Sequence, residues 1–149
     1  MIALIQRVSS AEVQIDGAKV ASIRRGILAF IGVERGDGEA QAARLAERVL
    51  GYRIFADVHA KMNLSLKDVA GELLAVPQFT LAADTDSGMR PSFSRAAPPT
   101  EGDALFLRFV EKAAESLHVA VGRFGADMQV SLVNDGPVTF LLRVSPRPS

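Results

Sequence analysis

The alternation of apolar and polar positions along the chain predicts strands for most of its length. Ile2–Val8 alternates with period two and reads as a strand, with Ser9-Ser10 as its end. Ala11–Ile15 and Lys19–Ile23 flank Asp16-Gly17 and predict a hairpin. Gly26–Val33, "GILAFIGV", is a continuous apolar run, consistent with a strand buried on both faces. The period then changes. In Glu39–Arg53, residues Ala42, Leu45, Ala46, Val49 and Leu50 recur at spacings of three and four and predict a helix. Asp57–Lys61 is a polar turn, "MNLSL" a short strand, and Glu72–Leu81 a longer strand with Pro77 inside it. Ala82–Pro99 is irregular and polar, and a loop of that length in a compact domain is more often functional than not. Thr100–Leu117 predicts a second helix, capped by Thr100 with Asp103 as its box partner. Its expected buried face is Leu105, Phe106, Phe109, Val110, Ala113 and Leu117. Val130–Val133 and Val138–Val144 read as closing strands on either side of an Asn134-Asp135-Gly136-Pro137 turn, and Ser145–Ser149 as a frayed tail. The expected fold class is α+β: mostly antiparallel β-sheets, barrel-like or two-layer, covered by two main helices in a single domain over residues 1–149.

Composition narrows the function more than the fold. Nearly half of the 149 residues are apolar, so a real core is expected. No apolar run reaches about 18 residues, and no membrane span or membrane partner is expected. The N-terminal "MIALIQRVSS" has no basic region ahead of it and reads as a first strand rather than a signal peptide. Cysteine is absent, which excludes thiolate chemistry and Cys-ligated metal and fits a reducing cytoplasm. The 17 basic and 17 acidic residues cancel. Neutrality argues against an extended nucleic-acid footprint, and no DNA partner is expected. It leaves room for a protein that holds one nucleic-acid end in a pocket, with Lys61, Arg90 and Arg95 near the loops as candidate basic contributors.

The chain has two histidines, His59 in a polar turn and His118 at a helix end, and neither lies in sequence near a nucleophile. No HExxH, phosphate-binding loop or dinucleotide motif occurs, so no metal and no cofactor are expected. Two segments with proline beside strand-like sequence remain. In "VPQFTL", Pro77 cannot donate to a ladder, so the N–H groups of Gln78, Phe79 and Thr80 are free to face a cavity, as donors to a developing oxyanion must. Gln78 adds an amide, Phe79 a stacking face and Thr80 a hydroxyl. Read alone, the segment is first an edge strand with proline at a harmless position. Gly136-Pro137 lacks both a Cβ and an N–H, so it offers carbonyls, and a cis bond would turn both to one side. Read alone, it is an ordinary turn.

Taken together, "MIALIQRVSSAEVQIDG", "RVLGYRIFAD", "KMNLSL", "PQFTLAADT", "RPSF" and "GRFGADMQVSLVNDGPVTF" resemble the D-aminoacyl-tRNA deacylase family from Met1 to about Val144. The resemblance implies a deacylase-type fold and a homodimer. It implies hydrolysis of the ester between a D-amino acid and the 3′-terminal ribose of tRNA, with glycine mischarged on tRNA-Ala also accepted. It implies that Gly136-Pro137 is cis and reaches into the partner subunit's pocket, where its carbonyls bind the substrate amino group and exclude an L side chain. Gln78, Phe79 and Thr80 would bind the terminal adenosine and supply oxyanion donors. Arg7, on the same face as Ala3 and Ile5, would brace the Gly-Pro turn. Phe124 and Met128 would line the adenosine pocket, or else belong to the core. Thr80 is a nucleophile by type, but no base stands beside it in sequence, and attack by water assisted by the ribose 2′-hydroxyl is the favoured mechanism.

Pro77 departs from the family pattern, which has Ser before Gln-Phe-Thr. Proline there also resembles an animal relative with a Pro-Gln-Ala-Thr motif, a trans Gly-Pro bond and relaxed chirality, whereas Phe79 and Arg7 favour the strict D-specific branch. The alternatives are therefore a relaxed-chirality deacylase and a non-catalytic module that binds RNA ends or nucleotides.

Overall fold

The computed structural model describes residues 1–146; the last three residues of the expected frayed tail lie outside the described residues. The strands are β1 (Ile2–Ile15), β2 (Ala18–Ile23), β3 (Gly26–Gly32), β4 (Phe55–Ala56), β5 (Met62–Leu64), β6 (Glu72–Pro77), β7 (Val119–Val121) and β8 (Gln129–Arg143). The helices are α1 (Glu39–Gly51) and α2 (Pro99–Ala114), with a short 3-10 turn at Phe79–Ala82. The main sheet runs β2-β1-β3-β6-β7, with β8 on the free side of β1. The β3–β6 and β6–β7 pairs are parallel and the others antiparallel, so the expected class, a curled, barrel-like sheet with two helices, is what is observed.

Alternation explains how one sheet holds two cores. Ile27, Ala29 and Ile31 of β3 and Leu73 and Ala75 of β6 face α1 and α2, packing on Leu45, Val49, Phe106 and Phe109. Leu28, Leu74 and Val76 face the other way, onto Val8, Val13, Ile15 and Ile23. Strands buried on both faces must be continuously apolar, and each such Leu or Ile contributes roughly 1.5–3 kcal/mol by its burial. The stripe expected on α1 is wholly buried. On α2, Phe106, Phe109 and Ala113 are buried and Leu105 and Val110 pack on the core half-exposed; Leu117, expected in the helix, lies beyond its end at Ala114 and packs on the core from there.

Several expectations are corrected. Ser9-Ser10 does not end β1. The strand slips register against β8 there and continues, its first half pairing with β3 and its second with β2. The Asp16-Gly17 hairpin stands, with both residues at positive φ. Asn134–Pro137 is not a hairpin between two strands: both flanking segments pair with the same neighbour, β1, as one strand, β8. The strand around Pro77 ends at that residue and is central rather than at an edge, because β6 lies between β3 and β7. Thr100 does not cap α2. Proline favours the first helical position, so the helix starts at Pro99 with Pro98 before it, which puts Thr100 inside the first turn. β7, three residues long, went unpredicted. Among the described residues no helix is long and apolar enough to cross a membrane.

Candidate functional site

The parallel strands β3, β6 and β7 end together, and their carboxyl ends are where open sheets commonly hold ligands. Pro77 pairs with Ile31 as the last rung of β6. The Gln78 N–H still donates to the Ile31 carbonyl at 2.8 Å, so the expectation that it would be free is wrong: the ladder outlives the proline by one bond. The chain then turns. Leu81 N–H donates to Gln78 O and Ala83 N–H to Thr80 O. Phe79 and Thr80 open this 3-10 turn, where N–H groups have no acceptor within the helix, and theirs find none among the described residues. The Gln78 side-chain amide donates to the Thr80 hydroxyl. Gly32 permits the close approach, since a Cβ there would lie 2.9 Å from the Leu81 Cβ.

Two cavities flank this turn. One, of about 240 Å³, is lined by Gln78, Phe79, Met128 and Val130 among others. The second, of about 290 Å³, is lined by Pro77, Phe79, Ala97, Pro99, Phe124 and Gly125. Phe79, 55% exposed, forms a wall of both. Met128 and Phe124 thus come to the site but on different cavities. No residue lining either cavity carries an ionisable side chain.

The second group gathers around Arg7. In the β1–β8 ladder, Gln6 faces Thr139 and Val8 faces Asn134, so Asp135–Val138 leave the ladder opposite Arg7 alone. The Arg7 guanidinium, only 16% exposed, donates from Nε to the Asp135 carbonyl at 2.8 Å and from Nη1 to the Ile54 carbonyl at 2.7 Å. Asn134 fastens the loop from within, accepting from the Val138 N–H at 2.7 Å and donating to the Thr139 hydroxyl at 2.9 Å. Buried Val138 anchors its far end. The exposed corner between these clamps is Gly136-Pro137, joined by a cis bond, with Gly136 at φ 150°. Sequence reasoning missed the Ile54 carbonyl and the Asn134 clamp. Asn before a Gly-Pro pair carried a signal, since its side chain commonly bonds nearby backbone.

The structure does not bring the two groups together within one chain: Gly136 and Pro137 line neither cavity beside Gln78–Thr80. The histidines lie elsewhere. His118 Nε2 is 3.9 Å from the Glu72 carboxylate on an exposed edge. His59 sits in the Asp57 turn, where the Asp57 carboxylate is held below its ordinary range by the Lys61 and His59 N–H groups. The Asp68 carboxyl is lowered in the same way by the N–H and hydroxyl of Ser65. Arg95, expected to contribute positive charge, is neutralised by Asp84 and Asp86. Among the described residues no group of three or more His, Cys, Asp or Glu converges to hold a metal.

Residues 4–143, spanning both the 3-10 turn and the Arg7-braced loop, match the family described as D-Tyr-tRNA(Tyr) deacylase. The chain belongs to this deacylase family. It is 62% identical over 148 residues to the D-aminoacyl-tRNA deacylase of Methylococcus capsulatus, covering 98% of this chain and 96% of that one. It is 64% identical over 148 residues to that of Thioalkalivibrio sulfidiphilus, covering 98% and 99%. A solved structure, the c-Myc DNA Unwinding Element Binding Protein, is similar with a TM-score of 0.93 at 33% identity, covering 98% and 100% of the two chains.

Proposed function

We propose that this protein hydrolyses the ester of D-aminoacyl-tRNA, releasing the free D-amino acid and tRNA, and that it acts as a homodimer. The observation that carries this reading is the cavity wall of Gln78 and Phe79, an amide and an aromatic face with no ionisable side chain, at the start of a turn whose Phe79 and Thr80 N–H groups are unpaired among the described residues. Such a wall suits an uncharged base and an ester whose transition state carries its charge on one oxygen. The Phe79 and Thr80 N–H groups are the oxyanion donors, and one such donor is worth about 100–1000-fold in rate. With no ionisable side chain lining either cavity, water attacks, assisted by the 2′-hydroxyl of the substrate's own terminal ribose. Thr80, held by the Gln78 amide and with no base beside its hydroxyl, orients rather than attacks.

Selectivity lies in the Gly136-Pro137 corner of the second subunit. It presents carbonyls to the substrate ammonium and leaves no volume for an L side chain, while a D side chain points outward. Glycine has no side chain to exclude and passes, including glycine on tRNA-Ala. Steric exclusion discriminates better than fit because overlap has no compensating contact. Aminoacyl-tRNA as the substrate sets the work in the cytoplasm, where translation is policed for chirality.

Matched D- and L-aminoacyl-tRNA pairs test this directly. The D-ester is cleaved and the L-ester spared under identical conditions. Equal rates would replace strict chirality with the relaxed alternative, which Pro77 favours. Binding of both without cleavage would leave a non-catalytic module, the reading motivated by the lack of a histidine at the site and by the neutral charge.

A further inference from the structure

We propose that Phe93, packed against Phe79 at a tilt, is the platform for the nucleotide that precedes the terminal adenosine in the tRNA 3′ end. The occupant's identity rests on the deacylase reading; the platform itself rests on the following geometry. Phe93 belongs to the long polar loop, yet that loop is firmly held on the rim of the site. Asp84 and Ser92 exchange both backbone hydrogen bonds, at 2.7 and 3.0 Å. Arg95 is clamped between Asp84 and Asp86. The Arg35 side chain donates to the Ser94 carbonyl at 2.8 Å, and its N–H to the Arg95 carbonyl at 2.9 Å. The Ala97 N–H reaches the Val33 carbonyl at 3.0 Å.

All this order holds an apolar ring in water. Phe93 is 42% exposed, and its centroid lies 5.2 Å from that of Phe79, itself 55% exposed. Phe79 is a wall of both cavities, whereas Phe93 lines neither. The aromatic surface therefore continues past the cavities onto the rim. An adenosine seated against Phe79 brings its 5′ neighbour to that rim. The neighbour is unpaired in the single-stranded 3′ end, and any base can stack on a ring, whatever its hydrogen-bonding edge. At the tip of the same loop Arg90 has no ion-pair partner among the described residues, which leaves one cation for the linking phosphate. A stacked base and one phosphate give a neutral protein a grip on the RNA end without a basic surface.

The test uses full-length protein, Phe93→Ala and Phe93→Trp, with three substrates carrying the same D-amino acid: aminoacyl-tRNA, aminoacyl-C-C-A trinucleotide and aminoacyl-adenosine. For Phe93→Ala, kcat/KM on the trinucleotide and the tRNA falls about tenfold, mainly through KM, while on aminoacyl-adenosine it stays within about twofold. Phe93→Trp restores the trinucleotide value. An equal loss on all three substrates, or no loss on any, overturns the proposal. So does a change in sedimentation of Phe93→Ala, which would make the ring a contact between copies. Calorimetry with unesterified C-C-A and with adenosine separates this proposal from the deacylase reading. If wild type cleaves nothing yet binds C-C-A more tightly than adenosine through Phe93, the catalytic reading falls and the platform stands. If wild type cleaves and Phe93 is indifferent, the platform alone falls.

Discussion

Two prolines interrupt two strands, and they do opposite things. Pro77 stands at the end of β6, a central strand buried on both faces, where the chain has nowhere to go but into a 3-10 turn. That turn walls two cavities of its own molecule. Pro137 stands in β8, which has a single neighbour, so the chain leaves the ladder opposite Arg7 and returns to it with its partner unchanged. The first interruption makes a concave surface, the second a convex one, clamped by Arg7 and Asn134 and surrounded by solvent. The difference teaches where a dimer site can come from. In the proposed homodimer the central strand supplies the pocket and the edge strand the plug.

Substitutions at the plug are expected to have the largest effect. A Cβ on Gly136 would lie 2.6 Å from a Val138 methyl group and 2.8 Å from the Val138 nitrogen, at a φ that L side chains rarely adopt. Gly136→Ala must displace the corner, and kcat/KM on D-aminoacyl-tRNA is expected to fall about 100-fold or more, since ångström misplacement has that cost. Native circular dichroism with unchanged activity would show that the corner does no positioning. Arg7→Ala comes next. It orphans the Asp135 and Ile54 carbonyls, lowering stability by about 1–3 kcal/mol in denaturant titrations, and activity falls as the corner loosens. Arg7→Lys does not rescue activity, because a point-like ammonium lacks the fork that spans both carbonyls. Full rescue would reduce Arg7 to a charge.

On the pocket side Thr80→Ala is expected to act less, with single-turnover rates within about tenfold of wild type, because an unassisted hydroxyl is a poor nucleophile. Complete loss with binding intact would restore Thr80 as the attacking group. The smallest effect lies outside both regions. The Asp57 carboxyl is held below its ordinary range by two N–H donors, so its contribution to stability is complete above about pH 4 and fades as the pH falls through its folded value. Asp57→Asn should therefore flatten the acid limb of the melting-temperature profile and leave catalysis at neutral pH unchanged.

The same contrast explains what could be read from the chain. Pro77 and Pro137 were legible as interruptions because the missing N–H is a local fact. What they interrupt was not. That Gln129–Asn134 and Thr139–Arg143 share β1 as a partner is a matter of pairing across the molecule, which alternation does not encode. The α1 stripe was legible because helical period and burial coincide. Thr100 misled because a capping residue and a proline at the first helical position compete for the same boundary. The free N–H of Gln78 was wrong for a related reason: proline removes its own donor and not the next one. The roles of Phe93 and of the Ile54 carbonyl depend on loops meeting in space, and only an aromatic stranded in a polar loop hinted at the first.

Subunit mixing tests the central claim most directly. Gly136→Ala lacks a working plug and Phe79→Ala a working pocket, so each alone is expected to be nearly inactive on D-aminoacyl-tRNA. In a mixed population, each heterodimer joins the intact pocket of one copy to the intact corner of the other. Activity is then expected to return to about a quarter of wild type, because half the dimers are mixed and each has one complete site. If mixing restores nothing while exchange of subunits is demonstrated, pocket and corner act within one chain or not together at all, and the account is wrong.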